Sequence, residues 1–122
     1  MTLALQPTTI SSAPLSGLLN YDVLTQTIYY SSTAAVGNFQ INFRGDSVTT
    51  FASVVPVGNT LETTLFVQMG STPHALTAIT IDGVTPSQIL GIKQLPILWA
   101  SNTTARLSIS ITQTSAGVFL VY

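Results

Sequence analysis

Charge is what this sequence has least of. Seven of 122 residues are Asp, Glu, Lys or Arg: Arg44, Lys93 and Arg106 against Asp22, Asp46, Glu62 and Asp82. That is 6%, where an ordinary soluble domain carries about 25%. A formal net charge of −1 provides no basic footprint, so nucleic acid is not expected as a partner. Cysteine is absent, which excludes a disulfide scaffold and a thiolate-held metal. The single histidine, His74, follows Pro73 with no other ligand-type residue beside it. It reads as a solvated loop residue, and neither a metal nor a cofactor is expected. No apolar run approaches the roughly 18 residues of a membrane helix. The stretch Met1-Thr2-Leu3-Ala4-Leu5-Gln6-Pro7 lacks the basic and apolar regions of a signal peptide, so a membrane is not expected either.

Catalytic signatures are equally scarce. G-x-S-x-G, H-E-x-x-H and Gly-rich phosphate loops do not occur. Nothing sets a pair of the four carboxylates apart from turn and surface usage, so no catalytic residue is expected. A glycan-directed enzyme is the weakest of the readings.

What the chain does have is hydrophobic residues, at 46%, and 32 serines and threonines. That is enough for one domain with a core. A nearly uncharged surface rich in Ser and Thr is tolerated best when much of it is covered in an assembly. Residues 1–20 read as an extended arm: Pro7 and Pro14 forbid a continuous helix. Leu3, Leu5, Ile10, Leu15 and Leu18 are spaced along it as candidate interface residues that bury against a neighbour.

Beyond residue 20 the dominant period is two. Apolar residues fall on 39, 41 and 43, mainly on 61, 65, 67 and 69, and on 105, 107, 109 and 111. Shorter runs at 27–30, 78–82 and 118–122 are rich in β-branched and aromatic residues. Turn residues separate them, and Thr114-Ser115-Ala116-Gly117 closes a C-terminal hairpin. One segment differs: Val48, Phe51, Ala52 and Val55 lie at i, i+3, i+4 and i+7 before Pro56. This predicts a short helix over Val48–Val54, capped by Asp46 or Ser47. The expected fold is all-β: an antiparallel β-sandwich of six or seven strands over 21–122, with one helical turn and the N-terminal arm.

Two further groups stand out. Arg44-Gly45-Asp46 spells an adhesion tripeptide but sits between a strand and the predicted helix, which favours a structural turn. There Arg44 satisfies carbonyls or pairs with Asp46. Tyr29, Tyr30 and Trp99 are candidate surface contacts able to stack on sugar rings, and alternation directs one of the two tyrosines inward.

From Phe43 the order of short motifs resembles a known family. Phe43-Arg44-Gly45-Asp46 with Thr49-Thr50-Phe51 is followed by Gly58-Asn59-Thr60-Leu61. Then come Gln68-Met69-Gly70-Ser71-Thr72, the run 78–83 ending in Asp82-Gly83, and the closing stretch 111–119. This order is similar to the β-domain of virion structural and fibre proteins of tailed phages, notably those infecting cyanobacteria, and covers roughly residues 27–122. The segment 84–96 departs from it, being more apolar and lacking a tryptophan, which suits a subunit contact.

The resemblance implies a non-enzymatic particle component located in the virion. The expected role is a small accessory subunit that decorates or cements the capsid or tail. Its expected partners are copies of itself, with a trimer favoured, and the major capsid or tail proteins. The alternative is a tail-fibre or baseplate-associated module that contacts the host surface.

Overall fold

The structure, a computed structural model, describes residues 5–90 and 95–122. Leu3 and positions 91–94 of the apolar segment 84–96 lie outside the described residues. The chain forms, in order, β1 (Thr8–Ser11), β2 (Gly17–Asp22), β3 (Ile28–Ser31) and β4 (Phe39–Arg44). There follow α1 (Phe51–Val54), β5 (Thr60–Gln68), β6 (Ala75–Ile81), β7 (Gln88–Ile89), β8 (Ile97–Leu98), β9 (Thr104–Ser115) and β10 (Val118–Val121). The protein is β-rich, as the alternation predicts. Phe39, Ile41 and Phe43 are buried while Gln40 is exposed, and Ala105, Leu107, Ile109 and Ile111 are buried on β9.

The strands make two sheets, in the order β1-β3-β5-β9-β10-β7 and β2-β4-β6-β8. Both are mixed, which corrects the expected antiparallel arrangement. The pairs β1–β3, β3–β5, β2–β4, β4–β6 and β7–β10 are parallel, while β5–β9, β9–β10 and β6–β8 are antiparallel. The cause is the path of the chain. From β1 to β6 each strand lies in the opposite sheet from the one before, so the chain re-enters a sheet only after a full circuit and in its original direction. Period two is common to both kinds of pairing and carries no direction.

Ten strands are present among the described residues, where six or seven were expected. The surplus includes β1, which lies within the stretch 1–20 assigned to the arm, and β2, which begins in it and runs on to Asp22. β1 pairs with β3 over four residues, and β2 pairs with β4 over six. The prolines flank these strands instead of interrupting them: Pro7 precedes β1, and Pro14 sits in the link to β2.

The helix is shorter than expected. It starts at Phe51 with Thr50 as N-cap, the Thr50 side chain accepting from Ser53 N. Val48 is 90% exposed, whereas Phe51 and Val55 are buried. Asp46 instead closes the preceding turn, its Oδ1 accepting from Val48 N at 2.9 Å. The start of α1 is also held from outside: the Asp82 carboxylate accepts from Phe51 N at 2.7 Å and Ala52 N at 3.1 Å. Asp82 and Gly83, both at positive φ (53° and 79°), form the tight turn after β6 that aims this carboxylate.

One core takes side chains from both sheets and from α1, including Tyr21, Phe39, Phe43, Phe51, Leu65, Ile79, Ile109 and Val121. Tyr21 of β2 lies against Tyr29 of β3, with ring centroids 6.1 Å apart, and its hydroxyl donates to Thr64 O at 3.3 Å on the other sheet. Buried Gln113 fastens the C-terminal hairpin to the helix. Its Nε2 donates to Ala52 O and Val55 O, and its Oε1 accepts from Gly117 N.

Candidate functional site

Among the described residues, β1 ends one sheet and β2 the other with no further strand paired to them, and Tyr21 of β2 packs on Tyr29 of β3, the neighbour of β1. The inner edges of β1 and β2 are occupied. Pro7 O accepts from Thr27 N and Ile28 N, and Ser11 O accepts from Ser32 N. Alternation then gives Thr9 the same inward orientation and turns the backbone groups of Thr8 and Ile10 outward. In β2, Gly17 N donates to Asn38 O and Val23 N to Arg44 O, so the backbone groups of Leu18 and Asn20 turn outward.

These two edges carry few of the devices that normally protect a strand from pairing with another chain. β1 has no charged residue, and Asp22, the one charge on β2, is taken up by Arg44 Nε at 2.6 Å. Exposed apolar side chains flank the two edges: Leu5 is 83% exposed, Ile10 71% and Leu18 59%. Leu24, just beyond β2, is exposed too. Of the arm residues singled out in the sequence, Leu5, Ile10 and Leu18 are thus brought to these edges. Leu15 is not: it is 6% exposed and belongs to the core.

The aromatic residues separate by face. Tyr29 pairs in register with the buried Leu65 and packs on Tyr21, so it is largely structural. Tyr30 lies on the outer face, edge-on to Phe66 at 6.3 Å. In-register pairing sets Ile10, Tyr30, Phe66 and Arg106 in one row across β1, β3, β5 and β9. Phe66 and Arg106 escaped sequence analysis because these neighbours come from four separate stretches of chain. Trp99 stacks on Phe39, centroids 6.3 Å apart and planes within 8°, and is half-buried against the core.

Arg44-Gly45-Asp46 makes a tight corner. Arg44 pairs with Asp22 across β2 and β4, and this hydrogen bond holds its guanidinium above the ordinary arginine value. Gly45 is required by close approach, since a Cβ there would sit 2.8 Å from Thr49 O. The Val48 N–H and the Thr49 hydroxyl hold the Asp46 carboxyl below the usual carboxylate range. This corner borders a shallow depression of about 290 Å³ lined by Asn42, Thr50 and Asp82 among others. Asn42 in it is already engaged: its Oδ1 accepts from Thr80 Oγ1 and Gly83 N, and its Nδ2 donates to Asn20 Oδ1. Among the described residues, no three of His, Cys, Asp and Glu converge as a metal site. No described helix is long and apolar enough to cross a membrane. Compared with known proteins, the chain matches no family model, no curated protein and no solved structure.

Proposed function

We propose that the chain is a non-enzymatic structural subunit of a tailed-phage virion, a small accessory protein that decorates or cements the capsid or tail. In this reading the two sheets close on each other as a β-sandwich, and the protein works as an oligomer seated on larger virion proteins. The observation that carries the reading is the open end of the fold. Among the described residues, two strand edges turn backbone groups outward with no strand paired to them, beside exposed Leu5, Ile10 and Leu18, and the one charge on the two strands is paired. Such a surface gains from being covered, at about 25 cal/mol per Å² of apolar area, and by satisfying its backbone groups. The motif order from Phe43 onward supplies the virion context.

The test is co-sedimentation of the purified protein with phage particles that lack it, followed by cryo-EM. Regular density on the head or tail lattice is expected. Absence of binding would overturn the assignment.

A specific feature favours a second reading, a fibre or baseplate module that touches the host. The outer-face row of Ile10, Tyr30 and Phe66 ends in Arg106, which has no salt-bridge partner among the described residues. Aromatic edges beside a cation suit a glycan surface. Binding of a host-cell glycan that is lost in Tyr30→Ala would favour this reading over decoration.

A further inference from the structure

We propose that the β1 and β2 edges are covered by the same edges of a second copy, related by a two-fold axis normal to the sheets. This rests on reading the open end as an assembly surface, and it names the partner. The first argument is self-complementarity. An isologous contact sets a surface against itself, so any unpaired charge on it meets its own copy. Here the outward positions are Thr8, Ile10, Leu18 and Asn20; Asp22 on β2 is paired with Arg44, and Glu62, which lines a depression with Leu5 and Pro7, lies on β5, two strands in from β1. With Ile10 and Asn20 on the axis, each meets its own copy, while Thr8 meets Ser12 and Leu18 meets the Arg44-paired Asp22 of the second copy, none of them a like-charge contact.

The second argument is direction. Tyr21, near the end of β2, packs against Tyr29, near the start of β3, while Ser31 at the end of β3 donates to Ala13 O ahead of β2; β3 is parallel to β1, and Tyr29 is level with Thr9. β1 and β2 therefore run in opposite senses on the two sheets. A two-fold axis normal to the sheets keeps each sheet in its own plane and reverses its strands. It places β1 antiparallel to its copy and β2 antiparallel to its copy in one operation, extending both sheets across the junction. Moving one residue inward from the Tyr21–Tyr29 contact brings Ile10 of β1 level with Asn20 of β2. Both have outward N–H and C=O groups, so an axis through this pair lets each residue exchange two hydrogen bonds with its own copy. A three-fold arrangement, favoured from the sequence, would press β1 against a different strand and leave no such match.

The absence of cysteine makes a direct test possible. Residues opposite each other in a hydrogen-bonded antiparallel pair have Cα atoms about 5.5 Å apart, inside the about 4.4–6.8 Å that a disulfide spans. Ile10→Cys is expected to form a covalent dimer on mild oxidation, whereas Val84→Cys, exposed elsewhere, is expected not to. In parallel, light scattering on the unmodified protein is expected to give a dimer. Ile10→Lys with Asn20→Lys is expected to weaken that dimer at least about 100-fold, because the axis sets each lysine against its own copy. Circular dichroism of each variant verifies the fold. A monomer at all concentrations, a trimer, or a dimer indifferent to both lysines and uncrosslinked by Ile10→Cys would overturn the proposal. If the protein is monomeric yet the double-lysine variant loses particle binding, the occupant is another virion protein and the assembly reading stands. If the dimer is verified and particles are not bound, the two-fold contact stands and the virion assignment falls.

Discussion

Two leucines three positions apart in sequence have opposite duties. Leu15 fills the core between the first two strands, and Leu18 stands in solvent. Leu15→Ala is expected to cost about 2–5 kcal/mol in urea unfolding. Leu18→Ala should stay within about 0.5 kcal/mol and alter only self-association. At Gly45 the constraint is contact, since its backbone passes too near Thr49 O to admit a methyl group. Gly45→Ala should destabilise by about 1–3 kcal/mol. Tyr21 gives a pH signature. Burial pushes its hydroxyl above the ordinary tyrosine value, so the folded state resists ionisation more than the unfolded state does. Stability is then fully present below the unfolded value of about 10 and falls as pH rises above it. Tyr21→Phe should flatten that alkaline decline in a series of thermal melts. From the local pattern Leu15 and Leu18 looked alike; only the partners brought by distant strands separate them.

At the scale of elements, the strands with strong alternation were legible. β4 and β9 bury the apolar positions that the period marked, and β5 buries Leu65 and Val67 while Leu61 is half-buried, because a sheet with one face on a core forces that alternation. The C-terminal hairpin was legible from its turn residues, and Gly117 adopts the positive φ such a turn needs. Strand direction was not legible, nor was β1, whose four residues are mostly polar and take their structure from β3. The helix was overextended for a related reason. The apolar spacing of Val48, Phe51 and Val55 mimics a helical face, although Asp46 commits the preceding residues to a turn. The external cap yields a prediction here. Asp82→Ala removes the acceptor for Phe51 N and Ala52 N and should cost about 1–3 kcal/mol, with Phe51 losing protection in hydrogen exchange.

At the scale of the whole molecule, the scarcity of charge governs association. Contacts between copies or with a particle must rest on apolar burial and backbone pairing, which salt does not screen. The self-association constant should therefore change by less than about threefold between 0.05 and 0.5 M NaCl in sedimentation equilibrium. A contact built on ion pairs would weaken markedly over that range. The winding of β1 to β6 also has a numerical regularity. β1 and β3 align at a step of 20 residues, Thr8 against Ile28, while β3 and β5 align at 36, Ile28 against Thr64. The longer circuit contains Gly45–Asn59, whose helix sets Phe51 edge-on to Phe119 at 5.5 Å and is gripped by Gln113. The excess is a stopper carried within one rung of the winding, plugging the mouth of the core beside the final hairpin. Shortening that rung to the length of its predecessor would leave the strands able to stack and the mouth uncorked, so lineages or designs that trim it must supply another lid.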